Sequence, residues 1–108
     1  MNEEMKAKIE AACESASAIF KKHDAKKGYI GNAAIKPDWS GKKYIRLCVV
    51  EQYGEEQERI LSAWCFVEVE TGLILKAASW KAPAKNFSRG SLEDLHKESY
   101  VVSHRFGF

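Results

Sequence analysis

The residues with the most chemical potential lie between positions 76 and 90. Lys76, Lys81, Lys85 and Arg89 recur there, Trp80 and Phe87 fall between them, and no acid interrupts the run. Ammonium and guanidinium groups neutralise phosphates, and aromatic rings stack on bases. Ala77, Ala78, Ser79, Ala82 and Ala84 keep the intervening surface low enough for a polyanion to approach. A second basic group, Lys42, Lys43 and Arg46, falls in residues 29–50, where Asp38 is the one acid. These nine residues are the candidate ligand- or nucleic-acid-binding set. The mechanism they predict is backbone contact plus stacking on Trp80 or Phe87, without base-specific readout. The competing structural reading makes 76–90 a connecting loop with Trp80 in the core.

Catalytic signatures are missing. The chain has no nucleophile elbow, no P-loop and no dinucleotide fingerprint. Ser79 has no histidine beside it in sequence. His96 and His104 are the candidates for acid–base work, which needs a geometry that spacing alone does not reveal. The three cysteines, Cys13, Cys48 and Cys65, form no C-x-x-C pair, and His23, His96 and His104 are scattered. Buried thiols in a reducing compartment are therefore expected, with no disulfide frame, no metal and no cofactor. The expectation is a non-catalytic protein.

Charge is segregated along the chain. Residues 51–70 carry six glutamates against Arg59, whereas residues 73–90 carry only cations. Such blocks steer partners, or else neutralise one another across a hairpin. The whole chain has 108 residues, 45% of them hydrophobic, and a net charge of +2. That is enough apolar surface for a packed domain, and the length predicts one, spanning 1–108. No apolar run reaches the ~20 residues of a membrane span, and Met1 to Lys6 has no secretory h-region. A cytoplasmic protein without a membrane partner is expected.

The elements that must position these side chains follow from periodicity. Met5, Ile9, Ala12, Cys13, Ala16, Ile19 and Phe20 form one apolar stripe, which predicts a helix over 2–23 capped by Asn2. Residues 29–36 read as a weak strand, and Pro37 to Gly41 as a turn. Residues 43–53, 59–70 and 73–80 read as strands, joined by a solvated loop at 54–58 and a tight turn at Thr71-Gly72. In the 59–70 strand, Leu61, Ala63, Cys65, Val67 and Val69 alternate against Ile60, Trp64 and Phe66. Strict alternation puts Trp64 on the face away from the helix and Leu61 in the core. Ser91 and Asp94 form a capping box for a short helix to about Glu98, and Tyr100 to Phe106 read as a final strand. The architecture expected is α+β: a long amino-terminal helix on an antiparallel three- to four-stranded meander, then a short carboxyl-terminal helix.

One stretch carries a resemblance. Cys65-Phe66-Val67, then Thr71-Gly72-Leu73-Ile74-Leu75-Lys76-Ala77-Ala78-Ser79-Trp80-Lys81-Ala82-Pro83-Ala84-Lys85, followed by Arg89-Gly90, resembles a motif of small uncharacterised proteins of tailed bacteriophages. Gly41-Lys42-Lys43-Tyr44-Ile45-Arg46 is similar in style. The resemblance implies a phage or prophage origin and expression in the cytoplasm of a bacterial host; it brings no activity and no residue role. Taken together, the expected function is a phage accessory protein binding nucleic acid, a nucleotide or another phosphate-bearing ligand. The alternative is an interaction module that docks on a host protein or on a second copy of itself. Its interface would be the acidic 51–58 block or the aromatic sheet face formed by Tyr44, Trp64, Phe66 and Trp80.

Overall fold

The structure is a computed structural model, which describes residues 2–28, 32–53, 57–85 and 88–108. Helix α1 runs Glu3–Lys26, three residues beyond the sequence expectation. Asn2 Oδ1 accepts the Met5 N–H at 2.7 Å, and Glu3 and Glu4 sit at the positive end of the helix dipole. The stripe Ile9, Ala12, Cys13, Ala16 and Phe20 is buried, and Asp24 continues it one turn further. The small residues Ala12 and Ala16 let the helix approach the sheet closely.

Five antiparallel strands follow: β1 (Ala33–Asp38), β2 (Tyr44–Tyr53), β3 (Gln57–Glu68), β4 (Leu73–Lys76) and β5 (Gly90–Ser91), ordered in space as in sequence. The fold is thus α+β as expected, but the meander has five strands rather than three or four. The β1 strand takes in Pro37 and Asp38, which the sequence assigned to a turn. Tyr29 to Gly31 of the expected weak strand, and Gly54 to Glu56 of the expected loop, lie outside the described residues. Gly72, at φ 74, supplies the left-handed position of the β3–β4 turn.

Strand β3 departs from strict alternation at two places. Leu47 pairs with Cys65, but the next residue, Cys48, pairs with Ala63, so Trp64 is an extra residue on β3. A second shift makes Leu61 the extra residue between Ser62 and Ile60. Each bulge resets the alternation. Trp64 therefore joins Cys65 and Val67 in the core on the helix side, with its ring edge-on to Phe20 at 5.3 Å. Its Nε1 donates to the His104 carbonyl at 2.7 Å, which satisfies the indole. Leu61 is 50% exposed and is not core.

The carboxyl-terminal tail is helical where a strand was expected. Ser91 and Asp94 do form the capping box, at the head of a 3₁₀ turn over Leu92–His96. Tyr100 to Ser103 then belong to helix α2 (Glu98–Ser103), not to a strand. The tail packs on the helix side of the sheet, where Phe108 meets Trp64 at 5.0 Å. Arg105 reaches Asp24 with two bonds, Nε to Oδ1 at 2.9 Å and Nη2 to Oδ2 at 2.8 Å, over the Phe20 ring. Gly90 sits at φ 146, which side-chain-bearing residues rarely adopt, and a Cβ there would meet Tyr100 Oη at 2.5 Å and Asp94 Oδ2 at 2.8 Å.

The free edge of β1 is blocked. Ser17 Oγ on α1 accepts the Ile35 N–H at 2.8 Å and donates to the Ile35 carbonyl at 3.2 Å. Positions alternate along an edge strand, so the next outward site is Pro37, which has no N–H. Ser17→Ala leaves the Ile35 amide without its partner and should lower stability by about 1–2 kcal/mol in a urea titration. A change below a few tenths of a kcal/mol would mean that water replaces the hydroxyl at no cost.

Candidate polyanion-binding cleft

The face of the sheet away from α1 is set by β2. Arg46 pairs with Phe66 of β3 and with Asp38 of β1, so these three side chains share that outer face. After β4 the chain makes a second, tighter hairpin. Ala77 bridges Pro83, and the Ala78 and Ser79 N–H groups both donate to the Ala82 carbonyl at 3.1 and 3.2 Å. To reach Arg46 of β2 from β4 this hairpin crosses β3 on the side of Phe66, which is 3% exposed. Its tip, Trp80, lands on Arg46 of β2. The part of the outer sheet face around Arg46 and Phe66 is therefore overlain by the 77–83 hairpin.

Arg46 is the keystone of the contact. Its Nε donates to the Trp80 carbonyl at 2.7 Å, and its Nη1 donates to Asp38 Oδ2 at 2.6 Å. The guanidinium lies 4.1 Å from the centre of the Trp80 ring and 5.5 Å from that of Phe66. Such a stacked, hydrogen-bonded arginine is poorly replaced by lysine. Asp38 is fixed in turn by the Ser40 N–H at 3.0 Å. That bond first, and the Arg46 guanidinium after it, hold the Asp38 carboxyl below the usual carboxylate range. It therefore stays ionised and keeps Arg46 oriented at any pH near neutral.

Beside this pair lies a cleft of about 220 Å³. Lys42, Lys43 and Arg46 line it from the β1–β2 turn and β2, Lys81 from the hairpin, and Asp38 is the one carboxylate in its wall. Lys85 also reaches the site: its ammonium is 5.3 Å from the Tyr44 ring, and that of Lys43 is 5.6 Å from the same ring. Two basic groups separated by over thirty residues in sequence thus meet around one opening. A match to the family of unknown function DUF7717 covers residues 2–105. The chain belongs to that family. No curated protein and no solved structure matches it.

Not every candidate in this DUF7717 chain joins the cleft. Lys76 pairs with Cys65 across β3 and β4, which by register puts it on the helix side. Arg89 lies at the β4–β5 edge, where its N–H bonds to the Ile74 carbonyl and its own carbonyl accepts from Tyr100 Oη. Phe87 lies outside the described residues. The acidic block is partly spent inside the sheet, with Glu51 on Arg59 at 3.2 Å and Glu58 on Lys36 at 2.6 Å.

The other chemically interesting groups stand apart from the cleft. Burial pushes the Cys13 thiol up to about 12 and Cys65 well above its ordinary value, so neither is a nucleophile at neutral pH. His104 Nδ1 is bonded to the Tyr100 carbonyl at 2.7 Å, and its ring stacks on Phe108. His96 Nδ1 and Ser15 Oγ share a 2.6 Å hydrogen bond at the surface. No metal-holding group of His, Cys, Asp and Glu occurs among the described residues, and no described helix is long and apolar enough to cross a membrane. A larger groove of about 560 Å³ between α1 and β1 mixes Glu10 and Glu14 with Lys21 and Lys36 around an apolar floor. It concentrates no single sign of charge.

Three structural contributors had no motif. Asp38 sits in what read as a turn. Ser17 looked like any polar helix residue. Asp24 did leave a signal, since it stands four residues after Phe20 on the apolar stripe, but nothing near Arg105 marks it as the partner.

Proposed function

We propose that the chain is a non-catalytic bacteriophage accessory protein that binds nucleic acid, through its phosphates, in the outer-face cleft. The phage assignment rests on the motif over residues 65–90. The binding reading rests on one observation: Lys42, Lys43, Lys81 and Lys85 converge from two distant segments on one small opening, around an arginine already anchored by Asp38 and Trp80. Folding has no evident use for that concentration of like charge, whereas a phosphate backbone does. Arg46 here holds the hairpin, and the lysines carry the phosphate contacts.

The test is a fluorescence-anisotropy titration of a labelled oligonucleotide over a range of salt. Four lysine–phosphate contacts on a single strand should give a log–log salt slope of roughly −3. The variant Lys42→Glu, Lys43→Glu, Lys81→Glu should keep its melting temperature, because exposed substitutions are close to neutral for stability. It should lose binding at low salt. A parent that binds no nucleic acid or polyphosphate at low salt ends this reading.

A second reading, docking of a protein partner, is favoured by the far end of β3. There Leu61 and Phe106, the latter 81% exposed, flank an opening of about 290 Å³. An association that survives high salt and is lost on Leu61→Ser would favour it.

A further inference from the structure

Two described rings, Tyr44 and Phe66, line the cleft, a third, Trp80, stands beside it on Arg46, and the three are not equivalent. Phe66 is buried beneath the 77–83 hairpin. The Tyr44 ring has the ammonium groups of Lys43 and Lys85 against it. Trp80 has one face on the Arg46 guanidinium and is 43% exposed, as expected for an indole with one face covered and the other open to solvent. This ring is also held in place. Its own carbonyl is bonded to Arg46 Nε, Arg46 is bonded to Asp38, and the hairpin beneath is closed at Ala77–Pro83. A ring fixed before binding loses little freedom when a flat ligand stacks on it.

We infer that the ligand of this cleft is single-stranded rather than duplex nucleic acid, with one base stacked on the open face of Trp80. This rests on the phosphate-binding reading above. The bases of a duplex are stacked on one another and cannot offer a face to an indole, so a ring used in this way selects strands whose bases are unpaired. Lys81, next in sequence to Trp80, and Lys42 and Lys43 across the cleft supply cations on either side of the stacked nucleotide. Since every base has a π-face, the site is tolerant of sequence. With Trp80 as the one exposed indole stacked on Arg46, it discriminates the presence of a base and not its identity.

The experiment compares four probes at one fixed low salt concentration: an oligothymidylate, an abasic strand of the same length, a duplex of the same length, and inorganic polyphosphate. The oligothymidylate should bind about tenfold more tightly than the abasic strand, as one base–aromatic stack supplies. It should also bind more tightly than the duplex. Trp80→Ala should bring the oligothymidylate down to the affinity that the same variant shows for the abasic strand. Trp80→Phe, which keeps a ring on the Arg46 platform, should retain part of the preference and so separates stacking from collapse of the hairpin. Equal affinity of the parent for base-bearing and abasic strands, or a preference for duplex, overturns the stacking inference while phosphate binding stands. If none of the four probes binds, the phosphate-binding reading and this inference fail together.

Discussion

Arg105→Met should lower the stability of the domain by about 3–5 kcal/mol, a fall of roughly 12–20 °C in Tm for a chain of this size. The reason is the state in which it leaves Asp24. That carboxylate is 3% exposed, and both of its oxygens are bonded to the guanidinium. Removing the cation strands a charge without water or partner, which costs far more than the pair contributed. Methionine keeps much of the packing against the Phe20 ring, so the loss reports the charge and not a cavity. The double variant Asp24→Leu, Arg105→Met removes both ions and should recover most of the loss. A single variant that melts within about 2 °C of the parent would show that the Asp24 carboxylate finds water once Arg105 is gone.

The second large effect is a contrast between two positions on one strand. Val67→Asp should abolish folding, because Val67 is fully buried and the new carboxylate would have no partner. Leu61→Asp should change stability by less than about 0.5 kcal/mol, since half of that side chain already faces solvent. Unbroken alternation along β3 would make the two substitutions equally damaging. Circular dichroism melts of the pair therefore test the bulges at Trp64 and Leu61 directly. A Leu61→Asp variant that unfolds would return both residues to one face.

The same bulges explain what the sequence conceals. Helix α1 is legible because a stripe of 3.6 periodicity has few alternatives, and the existence of β2 and β3 follows from their β-branched and aromatic content, although β3 begins and ends two residues earlier than expected, at Gln57 and Glu68. The side on which Trp64 faces is not legible, because an extra residue in a strand changes no residue type. The tail misleads for a related reason: Tyr100, Val101 and Val102 suit a strand locally, but their packing on α1 and the 3₁₀ turn favours helix. At the candidate site, residue types alone identify Lys42, Lys43, Arg46, Trp80, Lys81 and Lys85. Their convergence depends on the 77–83 hairpin crossing β3, a long-range event without a local signature. Lys76 and Arg89 share the composition of that segment but not its position, since β4 turns one to the helix side and the β4–β5 edge holds the other.

The blocked edge of β1 limits how this protein meets other chains. An incoming strand needs alternate donors and acceptors to zip onto a sheet. On this side Ser17 already occupies one rung and Pro37 removes the next donor. Fibrillar growth cannot start from that side, and neither can recruitment of an extended peptide. Along β1 the protein is left to engage whatever it meets by side-chain chemistry, where charge and ring geometry rather than backbone pairing decide the partner.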